Sequence, residues 1–246
     1  MFDYQAPKDL LKDRVILITG AGAGIGRACA LSCAAHGATV VLIGKTPSKL
    51  EAVYDEIEAA GYPQPALCPL NLETALEKDY NDLAEQLFET FGKLDGLVHN
   101  AAVLGPRTLL DQVKAESWLQ VMQVNVNAPF LLTKAMMPLL RAAADASVVL
   151  LSSSVGRKGR AYWGPYAVSK FAVEGLMQVL ADEQDGTSAI RVNSLNPGAT
   201  RTAMRAAAYP GEPPETNPEP ADIMPAFLYL LGPDSKGTNG QALDAQ

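Results

Sequence analysis

Cysteine, histidine and positive charge are all scarce in this sequence, and each scarcity excludes something. Cysteine occurs only at 29, 33 and 68. An odd, sparse set builds no disulfide framework. Cys29 and Cys33 stand one helical turn apart, but a metal site needs further ligands, and His36 and His99 are the only histidines. No metal is expected, and the cysteines read as reduced core fillers of a cytoplasmic protein. Long apolar runs are missing too. Stretches such as Val148–Leu151 are far too short to span a bilayer, so no membrane partner is expected. The opening Met1-Phe2-Asp3-Tyr4-Gln5 has no basic region leading into an apolar one and does not read as a signal peptide. Lys and Arg number 20 against 27 Asp and Glu, a net charge of −7 that argues against a nucleic-acid partner. What remains is 48% hydrophobic and 19% charged over 246 residues. That is enough to bury a large core, and it lies within reach of one α/β domain covering 1–246.

Short apolar runs alternate with longer helical patterns. Val15–Thr19, Thr39–Ile43, Pro65–Leu70, Leu94–His99, Ser147–Ser152, Ile190–Leu195 and Gln241–Leu243 read as strands, the third weakened by Pro69. Ile25–His36, Ser48–Ala60, Leu76–Phe91, Glu116–Arg141, Tyr166–Glu183 and Pro220–Leu231 read as helices, with Gly37 and Gly61 as C-terminal stops. Each parallel neighbour needs a crossover, so this alternation predicts a Rossmann-like, doubly wound α/β fold. Its seven-stranded sheet should be mainly parallel, with helices on both faces. Ligands then bind outside the carboxyl ends of the strands. The stretch Ala206–Pro220 breaks the rhythm with prolines at 210, 213, 214, 218 and 220, and reads as either a lid over the site or a mobile insert.

Between the first strand and first helix lies Thr19-Gly20-Ala21-Gly22-Ala23-Gly24-Ile25-Gly26. The spacing G-x-x-x-G-x-G over Gly20, Gly24 and Gly26 fits a turn that lets backbone approach a pyrophosphate at a helix N-terminus. After the second strand comes Gly44-Lys45-Thr46, where an acidic residue would select the 2′-hydroxyl of NAD. Gly44 leaves room and Lys45 offers a point charge to a 2′-phosphate, which favours NADP(H).

Tyr166 and Lys170 are four apart at the start of a predicted helix and share a face. The ammonium is expected to lower the phenol from its ordinary pKa of about 10, so that it exchanges protons with an alcohol or ketone oxygen. Ser152, Ser153 and Ser154 end the fifth strand, and spacing alone does not choose among them.

These segments, in this order, resemble the compact, single-domain branch of the short-chain dehydrogenase/reductase family. The motifs are T-G-x-x-x-G-x-G at 19–26, Asn100-Ala101-Ala102, Val124-Asn125-Val126, the serine strand end, Y-x-x-x-K at 166–170, and Pro197-Gly198 through Thr202. The resemblance implies hydride transfer between NADP(H) and a small-molecule carbonyl or alcohol. Tyr166 would be the acid or base, Lys170 the ribose holder and phenol tuner, and Ser153 the substrate-orienting serine. Asn125 would support a water on the proton path, or bond backbone at a helix kink. Around the cofactor it places Gly20, Ala23, Gly24, Ile25 and Gly26 at the pyrophosphate. Lys45 falls at the ribose phosphate, Asn71 and Leu72 near the adenine, and Asn100 and Ala101 beside the sheet end. Pro197, Gly198, Thr200 and Thr202 fall near the nicotinamide. The chain departs at Ala102, where the family prefers Gly, and at Asn71, where it usually has Asp.

The substrate end is expected to draw on Leu104, Val155, Arg157, Tyr162, Trp163 and Pro165. The run Arg157, Lys158, Arg160 is either a solvated loop face or a grip for an anionic substrate. In the family the helices near 116–140 and 166–183 form subunit contacts. Phe130, Leu131, Phe171 and Leu176 are therefore candidates for a homodimer or homotetramer interface. A non-catalytic NADP(H) sensor and a different chemistry on the same fold are the competing readings, the first disfavoured by the intact set Ser153, Tyr166, Lys170 and Asn125.

Overall fold

The protein is described here by a computed structural model covering residues 1–246. Seven strands form one sheet: β1 (Val15–Thr19), β2 (Thr39–Gly44), β3 (Ala66–Pro69), β4 (Gly96–His99), β5 (Ala146–Leu151), β6 (Ile190–Asn196) and β7 (Ala242–Asp244). Their order is β3-β2-β1-β4-β5-β6-β7. Every pairing is parallel, so the sheet is wholly rather than mainly parallel. The strand order reverses between β1 and β4, and the crevice at that switch point is where a doubly wound sheet receives ligand. Pro69 is tolerated because β3 is an edge strand.

Strands β1 and β5 are buried along their whole length, and each face of the sheet carries its own apolar core. On one face, Val15, Leu17, Leu97 and Val148 pack under α3 (Glu77–Phe91), α5 (Ala128–Ala142) and α6 (Gly164–Gln184). On the other, Ile16, Ile18, Val98 and Val149 pack under α1 (Gly24–Ala35), α2 (Pro47–Ala59) and α8 (Met224–Leu231). Cys29 and Cys33 are fully buried in that second core, as space fillers. A partly buried charge cluster closes the end of the sheet away from the crevice. Asp145 accepts from Arg14 at 2.5 Å and Arg191 at 3.3 Å, and Arg191 also donates to the Leu230 carbonyl at 3.1 Å.

The expected single helix 116–141 is two α segments, α4 (Ala115–Met122) and α5, joined by one π turn at Gln123–Asn127. The expected helix 220–231 begins as a 3₁₀ turn at Pro220–Ile223 and becomes α-helical only from Met224. A short helix, α7 (Ala203–Ala208), has no counterpart in the sequence reading. Its signal was Thr202 ahead of an alanine-rich run: the Thr202 hydroxyl accepts from the Arg205 amide at 3.1 Å as an N-cap. None of the helices is long and apolar enough to cross a membrane.

Candidate active site

A cleft of about 430 Å³ opens at the carboxyl ends of β1, β4 and β5. The glycine turn forms one end. Gly20 and Gly24 have φ of +68° and +54°, a left-handed backbone that glycine adopts without strain. Both line the cleft, with Ala23 and Ile25. Helix α1 starts at Gly24 with Ala23 as its N-cap and no side chain on its first amides, so those donors face the cleft. Gly26 differs from the cofactor contact expected of it: it does not line the cleft. A Cβ there would lie 2.2 Å from the Gly20 carbonyl oxygen and 2.4 Å from Asn100 Nδ2, so Gly26 lets the helix close onto the turn. Asn100 braces the same corner, donating to the Thr19 carbonyl at 2.8 Å, while the Thr19 hydroxyl accepts from the Asn100 and Ala101 amides at 3.0 Å.

Lys45, Asn71 and Leu72 line the far wall beside Gly44. Lys45 is exposed, and the Asn71 side chain accepts from the Glu73 amide at 3.2 Å. Pro197, Gly198, Thr200 and Thr202 line the opposite side. The loop they form is tied by Gln246, whose Nε2 donates to the Pro197 and Ala199 carbonyls at 2.6 and 3.1 Å. Nothing in the sequence pattern marked that tether.

Ser153, Tyr166 and Lys170 meet on the cleft floor. Tyr166 and Lys170 lie in the first two turns of α6, and the Lys170 Nζ sits 5.5 Å from the Tyr166 ring centre. It donates to the Leu151 carbonyl at 2.6 Å, which fixes it beneath the end of β5. The structure separates the three serines. Ser153 faces the Tyr166 hydroxyl, Ser154 is exposed, and Ser152 is buried on the cleft floor with a hydroxyl that no protein atom satisfies. Burying an unpaired hydroxyl is costly, so the Ser152 Oγ fits a site completed by a polar ligand.

Asn125 stands on the π turn, buried below the cleft lining. Its Oδ1 accepts from the Val103 amide at 2.9 Å, and its Nδ2 donates to the Val103 carbonyl at 3.0 Å and to the Ser169 Oγ at 3.0 Å. The extra residue of a π turn swings this amide off the regular helix face. There it clamps the segment after β4 against α6.

The expected fall in the Tyr166 pKa is not what the structure produces. Burial dominates and pushes the phenol up to about 12, with the Ser153 hydroxyl pulling the other way. The same burial brings Lys170 down to about 8, opposed by the charge of Glu174. A low-dielectric site penalises both charged forms, and the ammonium is held by a carbonyl rather than by the phenol oxygen. Near neutral pH the pair is therefore a neutral phenol beside a largely protonated amine.

The substrate end is mainly apolar and aromatic, with the Arg107 guanidinium 4.6 Å from the Trp163 ring centre and that of Arg205 3.9 Å from the Tyr209 ring centre. Trp163, Tyr166, Val155, Ala167 and Ala208 form a small cluster with Leu104, Met204 and Tyr209 against it. Leu104 and Trp163 reach the cleft as expected, whereas Val155 and Pro165 are buried behind it and Tyr162 is turned out to solvent. Arg157 does not line the cleft either: it bonds Glu174 at 3.3 Å and Asp244 at 2.8 Å, so of its two expected readings, solvated loop face or anionic grip, the grip is overturned. The sequence reading missed Met204, Arg205 and Ala208 of α7, because it left that stretch without a helix. Arg205 is neutralised by Glu212, with two contacts at 2.6 Å. The segment 206–220 is tied to its neighbours by side-chain contacts. Arg201 bonds the Pro214 carbonyl at 3.0 Å and pairs with Glu219, and the Tyr209 ring packs at a tilt 5.9 Å from Trp163.

No group of three or more His, Cys, Asp or Glu is placed to hold a metal. Burial takes His99 down to about 3, so it is a neutral partner of the Thr133 hydroxyl at 2.8 Å.

The family model described as short chain dehydrogenase matches residues 14–213. The chain belongs to the short-chain dehydrogenase family. This dehydrogenase is 49% identical over 243 residues to the uncharacterised oxidoreductase YciK of Escherichia coli K12, covering 99% of this chain and 96% of that protein. A short chain dehydrogenase structure from Pseudomonas syringae superposes with a TM-score of 0.99 at 61% identity, covering 100% of each chain. Another, from Escherichia coli CFT073 in complex with NADPH, gives a TM-score of 0.95 at 49% identity over 98% of this chain and 99% of that one. As a short-chain dehydrogenase, the chain is an oxidoreductase built around a nicotinamide cofactor.

Proposed function

We propose that this dehydrogenase transfers hydride between NADP(H) and an uncharged, apolar carbonyl or alcohol. The observation that carries the reading is the meeting of Tyr166, Lys170 and Ser153 on the floor of the cleft that the glycine turn opens. When bound, NADP(H) supplies the hydride in reduction and accepts it in oxidation. Gly20, Ala23, Gly24 and Ile25 hold its pyrophosphate with the open amides of α1. Lys45 meets the 2′-phosphate, Asn71 and Leu72 border the adenine, and Asn100 and Ala101 flank the sheet end. Thr200 and Thr202, with Pro197 and Gly198, border the nicotinamide.

In reduction, the Ser153 hydroxyl donates to the carbonyl oxygen and orients it. Tyr166, protonated at working pH, gives its proton to that oxygen as hydride reaches the carbon. The phenolate left behind is stabilised by the Lys170 ammonium until it is reprotonated; oxidation runs the same steps backwards. Asn125 keeps the segment after β4 and α6 in register. The apolar lining of Leu104, Trp163, Met204 and Ala208 selects substrates without charge. A carbonyl panel read by NADPH consumption tests this. Apolar ketones and aldehydes should turn over and anionic ones should not; no turnover of any carbonyl with either nicotinamide would refute the reading. NADPH should be preferred over NADH by at least about tenfold, roughly 1.4 kcal/mol. Lys45→Asp should abolish or invert that preference, since a carboxylate repels the 2′-phosphate.

Residues 1–246 act in this proposal as one catalytic domain with 206–220 as its lid. Hydrogen exchange should show added protection across 206–220 when NADPH binds; unchanged exchange there would count against a lid. We also propose a homodimer or homotetramer, because Phe130 and Phe171 stand 49% and 46% exposed on α5 and α6. Leu131 and Leu176, by contrast, pack against the core. Light scattering should give two or four times the 26.1 kDa chain mass. The free cysteines fit a reducing, cytoplasmic setting.

A further inference from the structure

Helix α6 carries a third polar residue on the face of Tyr166 and Lys170, one further turn along. Glu174 is buried, as are its neighbours Lys170 and Ser194. Its Oε2 accepts from the Ser194 hydroxyl of β6 at 2.6 Å, and its Oε1 accepts from Arg157 Nε at 3.3 Å. Arg157 continues to Asp244 of β7 at 2.8 Å and to the Leu243 carbonyl at 2.8 Å. The charges thus alternate from the cleft to the sheet edge: Lys170, Glu174, Arg157, Asp244. The segment bearing Arg157 also bears Ser153. Between them Gly156 lies so close to α6 that a Cβ there would meet the Lys170 Cβ at 2.7 Å.

We propose that Glu174 is a positioning residue for the reaction at Tyr166: fixed by Ser194 and Arg157, its carboxylate supplies the buried counter-charge to the Lys170 ammonium and pins the Ser153 loop to α6. The inference rests on the role given to Lys170 above. The groups facing Lys170 are Tyr166 and Glu174 from its own helix, the Leu151 carbonyl from β5 and the Gly156 backbone from the loop. Those facing Glu174 are Ser194 from β6 and Arg157, with Asp244 behind it. Glu174 is thus the acid next to the ammonium, and burial, which brings Lys170 down to about 8, acts against it.

Glu174→Gln keeps the volume and removes the charge, and Arg157→Gln removes the cation that offsets it. A structural role alone moves both variants alike, whereas the counter-charge role moves them in opposite directions. In Glu174→Gln the alkaline limb of the kcat/KM profile should shift about one pH unit lower, costing about tenfold at pH 9 and little at pH 6. In Arg157→Gln the limb should move higher while kcat falls, and Glu174→Asp should restore the limb toward the parent. The same midpoints should appear in NMR titration of protein labelled at lysine ε-carbon, with the Lys170 signal assigned through Lys170→Arg. A Lys170 midpoint unmoved in Glu174→Gln, or shifts of one sign in both variants, overturns the proposal. If the parent enzyme turns over no carbonyl, the proposed function has failed, and the NMR midpoints still decide the role of Glu174. If Glu174→Gln does not fold, Arg157→Gln decides alone: a higher midpoint supports the counter-charge, and an equal or lower one refutes it.

Discussion

Tyr166→Phe is expected to lower kcat for NADPH-dependent carbonyl reduction by about 10²–10⁴-fold while leaving the NADPH Kd within about twofold. The substitution removes one oxygen and keeps the ring that packs 5.8 Å from Trp163. Burial holds the phenol near 12, so at neutral pH it is the protonated partner, suited to giving a proton to a reduced carbonyl oxygen. Water cannot replace it easily, because Tyr166 is only 9% exposed and sits under the apolar wall. Stopped-flow single turnover separates this loss from cofactor binding. Near-normal turnover in Tyr166→Phe would remove the acid from the mechanism and leave Ser153 or solvent in its place.

Gly26→Ala is the second large effect, and it acts without touching the reacting atoms. The added methyl would lie 2.2 Å from the Gly20 carbonyl oxygen. That oxygen is backbone, and its corner is locked by Asn100 and the Thr19 hydroxyl across β1 and β4. The clash can be relieved only by lifting α1 off the turn, which misplaces the open amides that meet the pyrophosphate. Overpacking of this severity costs about 3 kcal/mol or more of stability. NADPH binding should weaken by about 100-fold, roughly 2.7 kcal/mol. Fluorescence titration with NADPH and thermal unfolding measure the two losses. Gly159→Ala is the matching control, since a Cβ there meets nothing within 4 Å. An NADPH affinity in Gly26→Ala within about threefold of the parent would contradict this account.

The contrast between Gly20 and Gly26 shows where reading a motif stops. Spacing picked out both glycines, but the demands on them differ: Gly20 needs a left-handed φ as well as room beside Asn100, whereas Gly26 needs only the missing Cβ. The serine run behaves likewise. Three adjacent hydroxyls at a strand end look equivalent in sequence. Alternation of the strand and the turn after it sends Ser153 to Tyr166, leaves Ser152 facing the floor and turns Ser154 to solvent. Arg157 was left between two readings for a related reason. A basic run beside the catalytic residues looks like an anion grip, yet its partners are 17 and 87 positions away, on α6 and at the end of β7.

Local and periodic information alone determined the strand–helix alternation, the glycine turn after β1, the lack of an acid after β2, and the placing of Tyr166 and Lys170 on one helix face. Each depends on residues a few positions apart, or on apolar periodicity, which a linear text preserves. Tertiary structure decided how the charges are shared out. It set the all-parallel order of the sheet, the π turn that lets Asn125 reach Val103, the Gln246 tether, the Asp145 cluster and the row from Lys170 to Asp244. It also reversed the expected pKa of Tyr166. Electrostatics depends on burial and on distance through space, and neither is fixed until the chain has packed.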